Sequence, residues 1–378
     1  MGAKNVLKIL HLVTHLNTGG ITTYIRILAA EQIKAGHQVF VWGARGSCSE
    51  EFRAIGVIVL DDVPRCKSEL SPKLWLVLPK LIRTLKTHSI EILHTHTRVT
   101  QVLAAVAIRF VKIPYVSTAH MFYKRRLGRR LFPCWGSAVI AISKVMDEGL
   151  RTIFRPGELP PVTIVPNGID VELLRAKFNA VDRNRVRESY GYSPKDLVVI
   201  SLSRLIPVKG VHLLVEAFAI ARKEIPAMKL LVAGSGEASY IEALKSRVRT
   251  LGIQQEVFFL GNEPAIEKPL RTGDIFAAPY LWPEAFGLSA LEAMAVGLPV
   301  IGSKSGGIVD LLGQGKYGIL FEEGHVDELS RCLVRYAKDA DLRAVMGKAA
   351  FQAAQEYTSH SMCARIQAVY EEALKGKI

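Results

Sequence analysis

The stretch Ile275-Phe-Ala-Ala-Pro-Tyr-Leu-Trp-Pro-Glu-Ala-Phe-Gly-Leu-Ser-Ala-Leu-Glu-Ala-Met-Ala-Val-Gly297 holds a strand, a turn and a helix in one sentence of sequence. Ile275–Ala278 is a short apolar run of strand length. The Pro-Glu turn follows, and small residues from Ala290 to Gly297 make a thin helix that can pack closely on its sheet. That helix is expected to begin near Gly287 or Leu288, so its first backbone N–H groups lack intrahelical partners. At about 100° per residue, Glu292 shares a helix face with Leu288 and Val296. Glu284 lies in the turn. An ordinary amphipathic helix with two solvated glutamates has the same spacing. The strand, turn and Phe-Gly around these acids instead favour a hydroxyl-binding pair beside an anion-binding helix end.

The same strand-to-helix unit recurs along the chain. In the first half the strands read Leu7–Val13, Gln38–Ala44, Val57–Asp61, Glu91–His96, Tyr115–His120, Ala138–Ser143 and Val162–Val165. In the second they read Val198–Arg204, Lys229–Ala233, Val257–Leu260, Ile275–Ala278, Pro299–Ser303 and Gly318–Phe321. Helices fit between them; Ile21–Ala35, for example, stops at Gly36. Strands alternating with helices imply parallel sheets covered on both faces. The 378 residues exceed one typical core. The expectation is therefore α/β, with two Rossmann-like doubly wound domains, residues 1–165 and 166–358. A last helix, about 359–378, is expected to pack back onto the first domain. Ligands are expected beyond the carboxyl ends of the strands.

Three further constellations sit at strand ends. Thr18-Gly19-Gly20 precedes a helix, where a bare backbone can approach a phosphate or sugar; the full GxGxxG fingerprint is absent, and a plain turn reads as well. Arg204 and Lys209, in Ser203-Arg-Leu-Ile-Pro-Val-Lys-Gly210, place a guanidinium and an ammonium at a strand mouth, where they can hold the two phosphates of a diphosphate. Gly234 and Gly236 end another strand and leave room for a nucleotide or for a tight turn. His120 closes a strand and is read as facing the cleft, whereas His94 and His96 are read as packing residues. These histidines lack metal-ligand spacing with carboxylates, and Asp339-Ala-Asp341 reads as a solvated helix start. No catalytic metal is expected. Phosphate-loop, GxSxG and HExxH motifs are absent.

Taken together, Val165-Pro-Asn-Gly-Ile-Asp170, Ser203-Arg204 with Lys209-Gly210, Ala233-Gly-Ser-Gly-Glu237, the Glu284–Glu292 pair, Ala295-Val-Gly-Leu-Pro-Val300 and Gly306-Gly307 resemble the family-four retaining nucleotide-sugar glycosyltransferases. The resemblance implies the GT-B fold, two such domains facing a central cleft. It further implies that Arg204 and Lys209 neutralise the donor diphosphate and its leaving group. Glu292 would accept from ribose hydroxyls and Glu284 would hold hydroxyls of the transferred sugar. The N–H groups of Phe286, Gly287 and Leu288 would contact sugar or phosphate. Gly20 and Gly234 would lie against the donor, and His120 would sit near the reacting sugar. Asp310 departs from the family's usual glutamate and is given no role. The implied reaction moves a hexose-type sugar, with retention, from a UDP- or GDP-sugar to a saccharide or lipid-linked acceptor in cell-surface polysaccharide or lipopolysaccharide synthesis. It needs no cofactor beyond the donor itself.

The net charge is +14. Residues 1–165 carry 23 Lys/Arg against 10 Asp/Glu, and residues 166–378 carry 26 against 25. The excess therefore belongs to the first half and suggests an anionic partner there. The run Lys124-Arg-Arg-Leu-Gly-Arg-Arg130, flanked by Phe122, Tyr123, Leu131 and Phe132, suits an anionic membrane surface. No nucleic-acid motif accompanies the charge, so no nucleic acid is expected. Apolar runs are too short to span a bilayer, and the N-terminus does not read as a signal peptide. A cytoplasmic protein, peripheral at the inner face of the plasma membrane, is expected. Five irregularly spaced cysteines make no disulfide framework. Two other readings stay open at this point: a nucleotide-sugar epimerase on the same architecture, and a non-catalytic protein binding anionic membrane or nucleic acid.

Overall fold

The computed structural model describes residues 6–376 apart from 62, 67, 70, 124–126 and 156. Among the described residues there are thirteen strands: β1 Lys8–His15, β2 Gln38–Ala44, β3 Ile58–Leu60, β4 Ile92–Thr95, β5 Tyr115–Ala119, β6 Ala138–Ala141, β7 Val162–Ile164, β8 Leu197–Leu202, β9 Met228–Ala233, β10 Val257–Gly261, β11 Ile275–Ala278, β12 Val300–Ser303 and β13 Ile319–Phe321. Each lies on an expected run, with ends displaced by a residue or two. Polar ends are trimmed: His96 and His120 lie one residue beyond their strands, and Arg204 lies two beyond its own.

All pairings are parallel. One sheet has the order β3-β2-β1-β4-β5-β6-β7 and the other β10-β9-β8-β11-β12-β13. In each, the order reverses direction once, between β1 and β4 and between β8 and β11. Helices leaving those neighbours go to opposite faces, so a crevice opens at their carboxyl ends. These two switch points decide where chemistry can sit.

The chain divides into two compact units, Met1–Ile169 with Ser359–Ile378, and Asp170–Thr358. The boundary falls after Ile169 rather than after Val165. The reason is local: Ser359 N–H donates to the Ile169 carbonyl at 2.8 Å, and Gly168 N–H donates to Met362 Sδ at 3.2 Å. These bonds tie residues 168–169 to the last helix, Ser359–Leu374. That helix buries Met362, Ile366, Val369 and Tyr370 in the first unit, against the Gly20–Lys34 helix. In the first unit one face of the sheet packs Leu10, Leu12, Phe40 and Leu93 on the helices that carry Leu81 and Leu103. In the second, Val199, Leu230, Phe218 and Leu333 belong to a single core. Burial of such side chains, at about 25 cal/mol per Å² of apolar surface, is the main stabilising term.

Candidate active site

In the second unit the site grows from the ends of β8 and β11. Beyond β8 the chain runs through Ser203 and Arg204 into a short turn, Pro207–Lys209. Beyond β11 it runs through Tyr280 to Glu284 and then into the Leu288–Ala295 helix, whose N-cap is Gly287. Leu281 N–H donates to the Val208 carbonyl at 2.9 Å, joining the two segments. Lys209 Nζ pairs directly with Glu284 Oε2 and lies 4.5 Å from the centre of the Tyr280 ring. The ammonium is therefore held by a carboxylate and a π-face. Both charged side chains are about one-fifth exposed (17% and 21%), which leaves them reachable from solvent.

Tyr280 is buried, and its hydroxyl lies 3.1 Å from Ser289 Oγ. Burial, then the charges of Glu284 and Glu292, push its pKa up. The phenol is thus neutral and marks both carboxylates as neighbours in one electrostatic environment. Leu288, Glu292 and Val296 share the half-buried face of their helix, while Ala290, Leu291, Ala293, Met294 and Ala295 are buried. The helical-wheel expectation for Glu292 matches this burial pattern. Phe286 and Gly287 are buried and Leu288 is half-buried at the helix start.

Glu284 is positioned by its backbone. It forms an isolated parallel bridge with Gly306, and its carbonyl accepts from Gly307 N–H at 2.6 Å. Gly306 has φ +67, and an added Cβ would stand 2.3 Å from the Glu284 carbonyl oxygen. Only glycine lets the chains approach so closely. Gly234 is similar: φ is +145 and a Cβ would meet the Ser203 carbonyl oxygen at 1.7 Å. Its demonstrable task is to let the loop after β9 close on the loop after β8. Leu205 N–H donating to the Ser235 carbonyl at 2.8 Å completes that closure.

Arg204 is exposed. Among the described residues its guanidinium has no ion-pair or hydrogen-bond partner. Lys209 and Glu284, expected to address different parts of a ligand, are here each other's partner.

The first unit places its site residues at the other switch point. Gly20 opens the Gly20–Lys34 helix and is exposed, with no atom within 4 Å of where a Cβ would stand. His120 follows β5 and is half-buried. Its Nε2 lies 3.0 Å from His96 Nδ1. His96 Nε2 lies 3.0 Å from His11 Nδ1, and His11 and His94 are register partners on β1 and β4. The reading of His94 and His96 as packing residues is incomplete: with buried His11 and half-buried His120 they form one cluster of contacting rings. Nitrogens of His11, His94 and His96 converge to within 4.8 Å, a spacing a metal ion could use. Every ring nitrogen of these three, however, already has a hydrogen-bond partner.

In the basic run, Lys124–Arg126 lie outside the described residues. Arg129 does not face solvent: its guanidinium sits 4.1 Å from the centre of the Tyr123 ring and 5.3 Å from that of Trp135. Leu131 and Phe132 are 64% and 68% exposed. No helix among the described residues is long and apolar enough to cross a membrane.

The sequence reading passed over Tyr280, His11, Gln32 and Tyr370. Tyr280 had an available signal, a polar residue two positions beyond a strand end. The other three become neighbours only once the strand order and the return of the last helix are known.

Two all-parallel α/β domains are the components of the GT-B fold. The family described as Glycosyltransferase Family 4 matches residues 18–173, and that described as Glycosyl transferases group 1 matches residues 182–353. The chain belongs to the family-four glycosyltransferases and is an enzyme. It is 27% identical over 347 residues to the GDP-mannose-dependent alpha-(1-6)-phosphatidylinositol monomannoside mannosyltransferase of Mycolicibacterium smegmatis, covering 88% of this chain and 89% of that one. Among solved structures it is similar to a glycosyltransferase from Rickettsia africae, with TM-score 0.86 at 18% identity over 98% of this chain and 100% of that one. It is similar also to HepE of Anabaena in complex with UDP-glucose, with TM-score 0.83 at 23% identity over 97% and 100%.

Proposed function

We propose that this glycosyltransferase moves a hexose-type sugar, with retention, from a UDP- or GDP-sugar to a saccharide or lipid-linked saccharide in the synthesis of a cell-surface polysaccharide or lipopolysaccharide. The observation that carries the reading is the Lys209–Glu284 pair at the start of the Leu288–Ala295 helix. The relative that uses GDP-mannose and the neighbour bound to UDP-glucose support both donor bases, and the relative's phosphatidylinositol monomannoside acceptor supports a lipid-linked one. Family membership favours transfer over the epimerase and the non-catalytic binding readings.

The difficult step is departure of the nucleoside diphosphate from the anomeric carbon. Negative charge then grows on the phosphate while the sugar gains oxocarbenium character. In this proposal Arg204 and Lys209 face that charge, which takes over what a metal ion would otherwise supply. Glu284 exchanges its ammonium partner for hydroxyls of the transferred sugar, and Glu292 accepts from the ribose. Phe286, Gly287 and Leu288 offer N–H groups, Gly20 and Gly234 offer bare backbone, and His120 stands at the reacting sugar.

The test is consumption of UDP-glucose and GDP-mannose in the presence and absence of an acceptor extract and of a chelator. Donor turnover that needs acceptor and survives chelation is expected. If neither donor is consumed, and Lys209→Ala leaves donor binding unchanged, the reading fails. Membrane contact is proposed through Leu131, Phe132 and the neighbouring basic run, with Arg129 excluded because it is folded against Tyr123 and Trp135. Salt-sensitive sedimentation with anionic vesicles is expected; equal sedimentation with neutral ones would remove that part.

A further inference from the structure

Two hydrogen-bonded chains leave the amide of Gln32 inside the first unit. In one, Gln32 Oε1 lies 2.8 Å from His11 Nε2, His11 Nδ1 lies 3.0 Å from His96 Nε2, and His96 Nδ1 lies 3.0 Å from His120 Nε2. In the other, Gln32 Nε2 donates to Tyr370 Oη at 3.3 Å. Tyr370 Oη lies 2.6 Å from His94 Nδ1, and His94 Nε2 lies 2.6 Å from Thr118 Oγ1. Gln32, His11, His94 and His96 are all buried.

A neutral imidazole has one N–H and one lone pair, so imidazoles in a row must run head to tail. Fixing one fixes all. Burial, above all, holds His11, His94, His96 and His120 well below the ordinary histidine range, so each is neutral near pH 7. The direction is set at Tyr370. A phenol is a better donor to imidazole than an imidazole is to a phenol, and a contact of 2.6 Å suits O–H···N. Tyr370 therefore donates to His94 Nδ1, and its oxygen accepts from the Gln32 NH₂ group. The Gln32 carbonyl oxygen, an acceptor only, is left for His11. His11 then carries its proton on Nε2 and accepts at Nδ1 from His96 Nε2–H. His96 in turn accepts at Nδ1 from His120 Nε2–H. Among the described residues, His120 Nδ1 has no hydrogen-bond partner.

We propose that Gln32, acting through His11 and His96, fixes the tautomer of His120 so that Nδ1 is kept as an unprotonated acceptor, and that these three are positioning residues for the transfer reaction. The tautomer assignment stands on the first unit alone. The consequence for turnover rests on the reading of His120 as the residue at the reacting sugar. An Nδ1 held this way can accept a hydrogen bond from a hydroxyl and cannot donate one to an oxygen anion.

The experiment is long-range ¹H–¹⁵N NMR on full-length protein labelled at histidine, with donor kinetics in parallel. The expected result is the Nε2–H tautomer on His11, His96 and His120. In Gln32→Leu, His120 should become a mixture of two tautomers. Its kcat should fall roughly tenfold, within the range that acid–base groups contribute, at unchanged donor KM. Gln32→Glu, which keeps an acceptor oxygen, should restore the single tautomer. If Gln32→Leu does not fold, Tyr370→Phe removes the hydroxyl that sets the amide and should mix the tautomers in the same way. Nδ1–H on all three rings, an unchanged His120 in both variants, or stoichiometric zinc on His11 and His96 would overturn the proposal. A tautomer change without loss of kcat would overturn the positioning role alone. Because the spectrum is read without turnover, failure of the transferase reading cannot produce or mask that result.

Discussion

The carboxyl ends of the two sheets solve the same topological problem with opposite electrostatics. At the β1/β4 switch point the polar groups are neutral, buried and joined to one another: His11, His94 and His96, with Gln32 and Tyr370 from flanking helices. At the β8/β11 switch point they are charged and partly open to water: Arg204, Lys209, Glu284 and Glu292. A buried neutral network tolerates no unpaired atom, so it fixes protons and orientations. An ion pair that water still reaches contributes little to stability and can change partners. Order is therefore concentrated in one unit and exchangeable charge in the other, even though the first unit has the larger excess of basic residues.

Replacing the ammonium tests the charged side. Lys209→Ala should lower turnover by roughly a hundredfold, about 3 kcal/mol, because one charge-assisted contact to the leaving group is lost. The melting temperature should scarcely move, since the pair is partly solvated. Steady-state kinetics beside a thermal melt decides it. A large stability loss with normal turnover would show that Lys209 is structural and would erase the contrast.

Acid tests the neutral side. Burial lowers His11 from 6.5 to about 4. Below pH 6.5 the unfolded chain takes up a proton that the folded chain refuses. The stability from the neutral ring is thus complete above that pH and is lost as pH falls towards 4. One pKa unit corresponds to about 1.4 kcal/mol, and His94 and His96, also lowered chiefly by burial, make the slope steeper. Hydrogen exchange at pH 7 and pH 5, corrected for intrinsic rates, should show β1 and β4 losing protection more than β8 and β11. Equal losses would mean that the histidine network is not the acid-sensitive element.

The difference between the sites also explains what could be read beforehand. Thirteen strands were legible because parallel strands buried on both faces are short apolar runs between glycine and polar breaks, as Ile275–Ala278 and Val198–Leu202 are. Glu284 and Glu292 were legible because both flank one turn, so local geometry relates them. Gln32, His11 and Tyr370 were not. His11 meets His94 only because β1 pairs with β4, and Tyr370 arrives from a helix 276 residues further on than His94. The Lys209–Glu284 pairing was missed for a related reason: each residue was assigned to a ligand, and the two opposite charges, 75 residues apart, meet only when β8 and β11 lie side by side. The glycine at 234 was read either for the space it leaves a ligand or for a tight turn, and the nearest claimant is the Ser203 carbonyl.

The smallest expected effect concerns Tyr280, which links the two kinds of electrostatics within the second unit, being neutral and buried yet placed against charge. Tyr280→Phe keeps the ring beneath Lys209 and removes only the hydroxyl bonded to Ser289. Loss of one neutral hydrogen bond should cost about 1 kcal/mol of stability, and donor KM should change by less than threefold. Tyr280→Leu also removes the π-face, about 0.5–1 kcal/mol at a partly exposed cation, and should raise donor KM further. Burial, then Glu284 and Glu292, hold the phenol's proton in place. The alkaline limb of the activity profile should therefore be the same in wild type and Tyr280→Phe. A limb that vanishes in the variant would mean that the phenol ionises during turnover, and that the second unit uses a titrating group where only fixed charge is assigned.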